Sequence, residues 1–190
     1  MHKSLVMLPA VAMQLLLACA APGAAAQTVA HSGAYAGQQV RSIKSLSDQD
    51  IDDLLAGRGA GLAKAAELNG YPGPAHVLEL KEPLQLSEAQ FQATQALMAQ
   101  HRAAAQSLGE EAVAAERSLD RAFASHTADE DSVRTLAAKV ARIQGELRAE
   151  HLKTHLAQTA LLTPDQIQRY AQLRGYAEAD VIPAQDHHHH

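Results

Sequence analysis

His151 and His155 stand four positions apart in a stretch that reads as helix, so both imidazoles project from one side of it. That spacing lets two rings share one ion. A hairpin folded about residue 127 sets position 101 opposite position 153, which brings His101 level with the pair and Glu150 beside it. Three imidazoles and a carboxylate at one level are a ligand set for zinc, nickel or copper. The competing reading is packing, with His101 in the hairpin seam and His151 and His155 flanking it as polar edge residues. A slip of about one helical turn would separate the four groups.

The terminal run Asp186-His-His-His-His190 is a second candidate chelator, as a His-rich tract, and reads equally well as the remnant of a tag. Catalytic signatures are absent from the sequence: it has no Gly-rich phosphate loop, no nucleophile elbow and no paired-cysteine motif. Its one cysteine, Cys19, lies near the start. The chain therefore reads as non-enzymatic, with no cofactor required and a zinc, nickel or copper ion as the optional one.

Helices must position these groups, and one capping pattern occurs three times: Leu46-Ser-Asp-Gln-Asp-Ile51, Leu86-Ser-Glu-Ala-Gln-Phe91 and Leu162-Thr-Pro-Asp-Gln-Ile167. Ser47, Ser87 or Thr163 offers a hydroxyl to an orphan N–H at the helix start. Asp50, Gln90 or Gln166 reaches back as the second half of a capping box, the shorter Asp50 least well. The flanking apolar pair supplies a hydrophobic staple, and Pro164 suits the first helical position.

From Ser87 to about Ser125 a seven-residue row, Phe91, Met98, Ala105, Ala112 and Leu119, runs beside a second row of Thr94, His101, Leu108, Ala115 and Ala122. The tip is His126-Thr-Ala-Asp129, and the return helix carries Val133, Leu136, Val140, Ile143 and Leu147 on its seam to about Leu161. Leu152 and Leu156 face away from that seam, so the return helix is expected to need a second partner. A final helix runs from Pro164 to Arg174. Before the hairpin, a short helix follows Ser47 and is broken by Gly57-Arg-Gly-Ala-Gly61. Leu62 to Leu68 forms another, Tyr71-Pro-Gly-Pro74 turns, and His76 to Glu82 is a third.

Residues 1–26 read as a secretory signal peptide: His2 and Lys3, an apolar run from Leu5 to Ala18, then a small-residue cleavage site at Ala24-Ala-Ala26. Leu16-Leu-Ala-Cys19 is alternatively a lipobox, which would anchor the chain by a lipid on Cys19. Residues 27–44 are expected to be a flexible arm, residues 45–176 the folded domain, and residues 177–190 a disordered His-ended tail. Aromatic residues are 3% of a composition that is 47% hydrophobic, which suits long thin helices packed through small side chains and a homodimer to bury the remaining surface. With no cysteine pair, disulfides contribute nothing to the fold. The formal charge of −5, about −6 once Lys3 leaves with the leader, argues against nucleic acid as a partner.

Leu86-Ser-Glu-Ala-Gln90 and Leu162-Thr-Pro-Asp-Gln166, 76 positions apart, resemble the paired LTxxQ motifs of the Spy/CpxP family of small periplasmic proteins. The stretch from Ala66 to Leu80 is similar to a segment of bacterial relatives of the same kind. The resemblance covers about residues 45–176 and implies an all-α fold: a long antiparallel helical hairpin with short flanking helices, assembled as a dimeric cradle in the periplasm of a Gram-negative bacterium. It implies one of two functions, an ATP-independent chaperone for unfolded envelope proteins or a heavy-metal sensor or resistance protein, with a membrane-bound signalling partner as a further possibility. On the chaperone reading, Arg102, Arg117, Arg121, Arg142 and Arg148 face the client. The plainer reading makes them a solvated surface with partners one turn away. The acidic net charge departs from the basic cradle of the Spy chaperone.

Overall fold

Each of the three capping segments starts a helix in the computed structural model, which describes residues 33–176 of the 190-residue chain. The expected signal peptide with Cys19, the first part of the arm and the His-ended tail lie outside those residues. The described part is all-helical, with α1 (Asp48–Leu55), α2 (Lys64–Glu67), α3 (Pro74–Glu79), α4 (Glu88–Ala124), α5 (Glu130–Ala160) and α6 (Pro164–Leu173). Among the described residues no helix is long and apolar enough to cross a membrane.

The capping boxes close at Ser47, Ser87 and Thr163, each with its hydroxyl accepting from the third helical N–H and the third side chain accepting in return. Asp50 closes its box despite its shorter side chain, accepting from the Ser47 N–H at 2.8 Å. A fourth box, Asp129 with Ser132, opens α5 just past the tip. The Ser47 and Ser132 donors hold the Asp50 and Asp129 carboxyls below the usual carboxylate range.

Helix α4, 37 residues and therefore ~56 Å long, packs along α5 as the expected hairpin. Ala105, Ala112, Ala115, Val140, Ile143 and Leu147 are buried along the seam, as the heptad rows require. Small residues on α4 meet branched ones on α5, so the two backbones approach closely. Polar layers interrupt the apolar ones: Gln158 donates to Thr94 at 3.2 Å, and Gln144 donates to Glu116 at 3.1 Å. Such layers fix register, because sliding the helices would bury these groups without partners.

Both hairpin helices carry a second packing face: α5 takes the N-terminal helices α2 and α3 against it, one of the partners expected for it, and α4 takes α1. Leu156 itself is 56% exposed, whereas α4 also buries Gly109, Val113 and Glu116. Helix α1 crosses α4 at Gly109. A methyl added there would overlap the Leu54 carbonyl, standing 2.6 Å from its carbon, so glycine alone permits the crossing.

The expected arm is anchored from Gln38 onward. A 3-10 turn at Gln38–Val40 leads to Ile43, which is fully buried. The Lys44 N–H then donates to Asp120 at 3.0 Å, and Ser45 donates to Glu116 at 2.9 Å, tying this segment to the side of α4. The helix expected over 62–68 shrinks to the four residues of α2, and α3 begins at Pro74 itself, where the missing N–H is harmless.

At the open end of the hairpin, Val77, Leu84, Leu162 and Tyr170 form a small core, with Leu80, Leu86 and Ile167 against it. The motif glutamines meet above it. Gln90 donates to Gln166 at 2.8 Å and Gln166 donates back at 3.1 Å, while the same amides donate to the Leu161 and Leu84 carbonyls. Each letter of the motif thus has a physical task. Leu fills the core, Ser or Thr caps the helix, and Gln clasps one helix start to the other.

Candidate functional site

The glycine-rich break after α1 does more than end a helix. Residues 56–76, with α2 and the start of α3, lie over α4 and α5 as a cap, and a cleft of about 530 Å³ opens between cap and hairpin. Gly57 has φ +67° and would bring any Cβ to 3.1 Å from the Arg102 carbonyl oxygen. Small residues dominate the cleft's cap side, while His101, Arg102, His151, Thr154 and His155 line its hairpin side.

The hairpin register holds to within a residue. Thr154 donates its hydroxyl to the Glu150 carbonyl at 3.0 Å, so its oxygen receives the His101 Nδ1–H, 2.9 Å away. The Glu150 carboxylate is 3.3 Å from the same nitrogen. The His151 ring stands edge-on to that of His101, with centroids 4.5 Å apart and planes at 74°. His151 is 5% exposed, and its Nε2 has no hydrogen-bond partner. Burial, reinforced by the neighbouring His101, pulls the His151 pKa down to about 4, so this imidazole is neutral at pH 7.

His155 turns elsewhere. Its Nδ1–H donates to the Tyr71 carbonyl at 2.7 Å, latching the cap onto α5. The ring edge lies where a Cβ on Gly73 would come within 2.8 Å, so that glycine lets the cap close. The structure therefore gathers His101, Glu150 and His151, and sends His155 to the cap.

Among the described residues no three His, Cys, Asp or Glu side chains make a group that could hold a metal ion. His101 and His155 direct their Nδ1–H groups at oxygen acceptors of the protein, and His155 faces a different neighbour from the other two. The set read from the sequence does not fit zinc, nickel or copper as it stands.

A second polar cluster escaped the sequence reading. Tyr170 donates a short hydrogen bond to the Glu67 carboxylate, with His76 Nδ1 at 3.5 Å, His155 Nδ1 at 3.6 Å and Arg174 Nε at 3.7 Å. Burial and the Glu67 charge push the Tyr170 hydroxyl well above its usual range, so it remains a donor. The cluster joins α2, α3, α5 and α6 at one point. Its members are spread from 67 to 174, and no local pattern links them.

Arg102, Arg117, Arg121, Arg142 and Arg148 are all exposed on the hairpin. Arg142 pairs with Glu146 at 2.7 Å. The other four form no ion pair among the described residues.

A family model described as LTXXQ motif family protein matches residues 75–174, which run from α3 through α6 and include both glutamines of the clasp. No curated protein matches, and no solved structure does. The match spans more than half the chain, so the protein belongs to the LTXXQ motif family, the family of the Spy/CpxP-type motif.

Proposed function

We propose that this is an exported, Spy/CpxP-like envelope stress protein that holds unfolded periplasmic proteins without nucleotide or metal and does no catalysis. Family membership supports the periplasmic, Spy/CpxP-like part of the reading. The observation that carries client holding is the set of exposed arginines without acidic partners, Arg102, Arg117, Arg121 and Arg148, on a hairpin that also leaves Phe123 and Leu156 each 56% exposed. Exposed cations and exposed apolar side chains on one hairpin hold a non-native chain weakly, through burial and screened attraction, and release it without an energy source. A homodimer would double that surface, and a membrane-bound signalling protein is its natural reader.

The test is aggregation of a chemically unfolded client, followed by light scattering with and without the mature protein. Suppression at a few-fold molar excess, weakened by salt, supports the reading; unchanged aggregation at every ratio overturns it. The metal-sensing alternative draws on His151, whose neutral ring has a free Nε2. It requires His155 to leave Tyr71 and swing toward His101. Zinc titration of protein lacking residues 186–190 separates the two, since tight one-to-one binding would favour the sensor.

A further inference from the structure

We infer that the cleft between cap and hairpin binds a small amphipathic anion, an apolar body carrying one carboxylate or similar group. This goes beyond client holding and does not depend on it.

The size fits such a molecule: about 530 Å³ lies within the range of small-ligand sites. The walls fit its body. Ala56, Ala63, Leu68, Pro74 and Met98 supply apolar surface, and the glycines of the cap expose backbone in place of bulk.

Charge selects the head group. Lys64 and Arg102 both line the cleft, and neither forms an ion pair among the described residues. Arg58, the third cation there, is already held by Asp53. The one carboxylate lining the cleft, Glu67, receives the Tyr170 hydroxyl and has Arg174 beside it. The cleft therefore has two uncommitted positive charges against one negative, whose Oε1 is engaged by Tyr170 and Arg174 while its Oε2 has no hydrogen-bond partner. His151, nine-tenths buried and unpartnered at Nε2, adds a polar group to the same wall. Both the Lys64 and Arg102 side chains are exposed to water, so an uncharged ligand gains nothing from them, whereas an anion is drawn by both charges.

Methionine supplies a reporter. Met98 lines the cleft, and the other three methionines fall within the first thirteen residues. Mature protein with a 13C-labelled methionine methyl group is titrated with octanoate and with octan-1-ol, which share a chain length and differ in charge. Octanoate should shift the Met98 signal to saturation at one molecule per chain, with octan-1-ol about tenfold weaker or more. The double variant Lys64→Gln, Arg102→Gln should bring octanoate down to the level of the alcohol and leave the alcohol unchanged. Both positions are exposed, so unchanged helicity by circular dichroism confirms that the variant folds. Equal affinities in the parent protein overturn the inference, as does a preference that survives the double variant. An unmoved Met98 signal also overturns it. Aggregation assays on the parent protein report client holding separately, so failure of one reading is visible apart from failure of the other.

Discussion

The side-chain amides of Gln90 and Gln166 satisfy each other completely. Each oxygen accepts from its own cap N–H and from the opposite amide, and each nitrogen donates to the opposite oxygen and to a carbonyl at Leu161 or Leu84. No donor or lone pair of either amide is left over. A carboxylate of the same length can still accept from its cap but has no N–H to give.

Gln90→Glu or Gln166→Glu should therefore destabilise the fold by about 1–3 kcal/mol, through an unpaired carbonyl and two facing oxygens. Urea unfolding measures it. The two substitutions together should cost more than their sum, since the double variant also loses the surviving amide donation and sets two carboxylates face to face. Strict additivity would show that the amides do not act as a pair.

Two helix glycines should respond oppositely to alanine. At Gly145 nothing lies within 4 Å of an added Cβ, so Gly145→Ala should stabilise by about 0.5–1 kcal/mol through reduced freedom of the unfolded chain. Gly109→Ala gains the same term but drives a methyl into the Leu54 carbonyl, and overpacking against backbone outweighs it by about 1–3 kcal/mol. Thermal melts should move in opposite directions.

Acid should loosen the fold through His151. Its folded pKa of about 4 lies below the ordinary 6.5, so the unfolded chain binds the extra proton first. The contribution is complete above about pH 6.5 and is lost as pH falls toward 4, to an upper bound of about 3 kcal/mol. Urea midpoints recorded across that window should fall, and His151→Gln should flatten part of the slope. An identical slope in the variant would refute the assignment.

Arginine substitutions should separate free side chains from paired ones. Arg117→Glu with Arg121→Glu should weaken suppression of client aggregation several-fold, whereas Arg142→Gln, which removes a cation already paired with Glu146, should change it little. Scattering traces at matched concentration compare them.

The helix starts and the hairpin register were legible in the sequence because both are local or symmetric. Capping needs only three neighbouring residues, and a fold about residue 127 fixes which positions share a level. That operation also sets position 90 opposite position 164, a signal from which the Gln90–Gln166 clasp could have been read, although the sequence reading gave the two glutamines only as caps. The seat of α1 was not legible, since Gly109 looks like any small seam residue until Leu54 is brought to it. His155 was misplaced for the same reason: its partner is the Tyr71 carbonyl, a backbone group with no side-chain signature. The cluster of Glu67, His76, Tyr170 and Arg174 depends on how the cap folds back, which periodicity does not encode.

The clasp and the tip sit at opposite ends of a rod, and that makes the hairpin a lever. The glutamine pair joins α4 and α6 at one end, while Ser125–Asp129 turns the chain at the other, ~56 Å away. A tilt of about 5° at the clasp sweeps the tip through about 5 Å over that length. The same arm works in reverse: a weak pull at the tip delivers a large torque to the two amides.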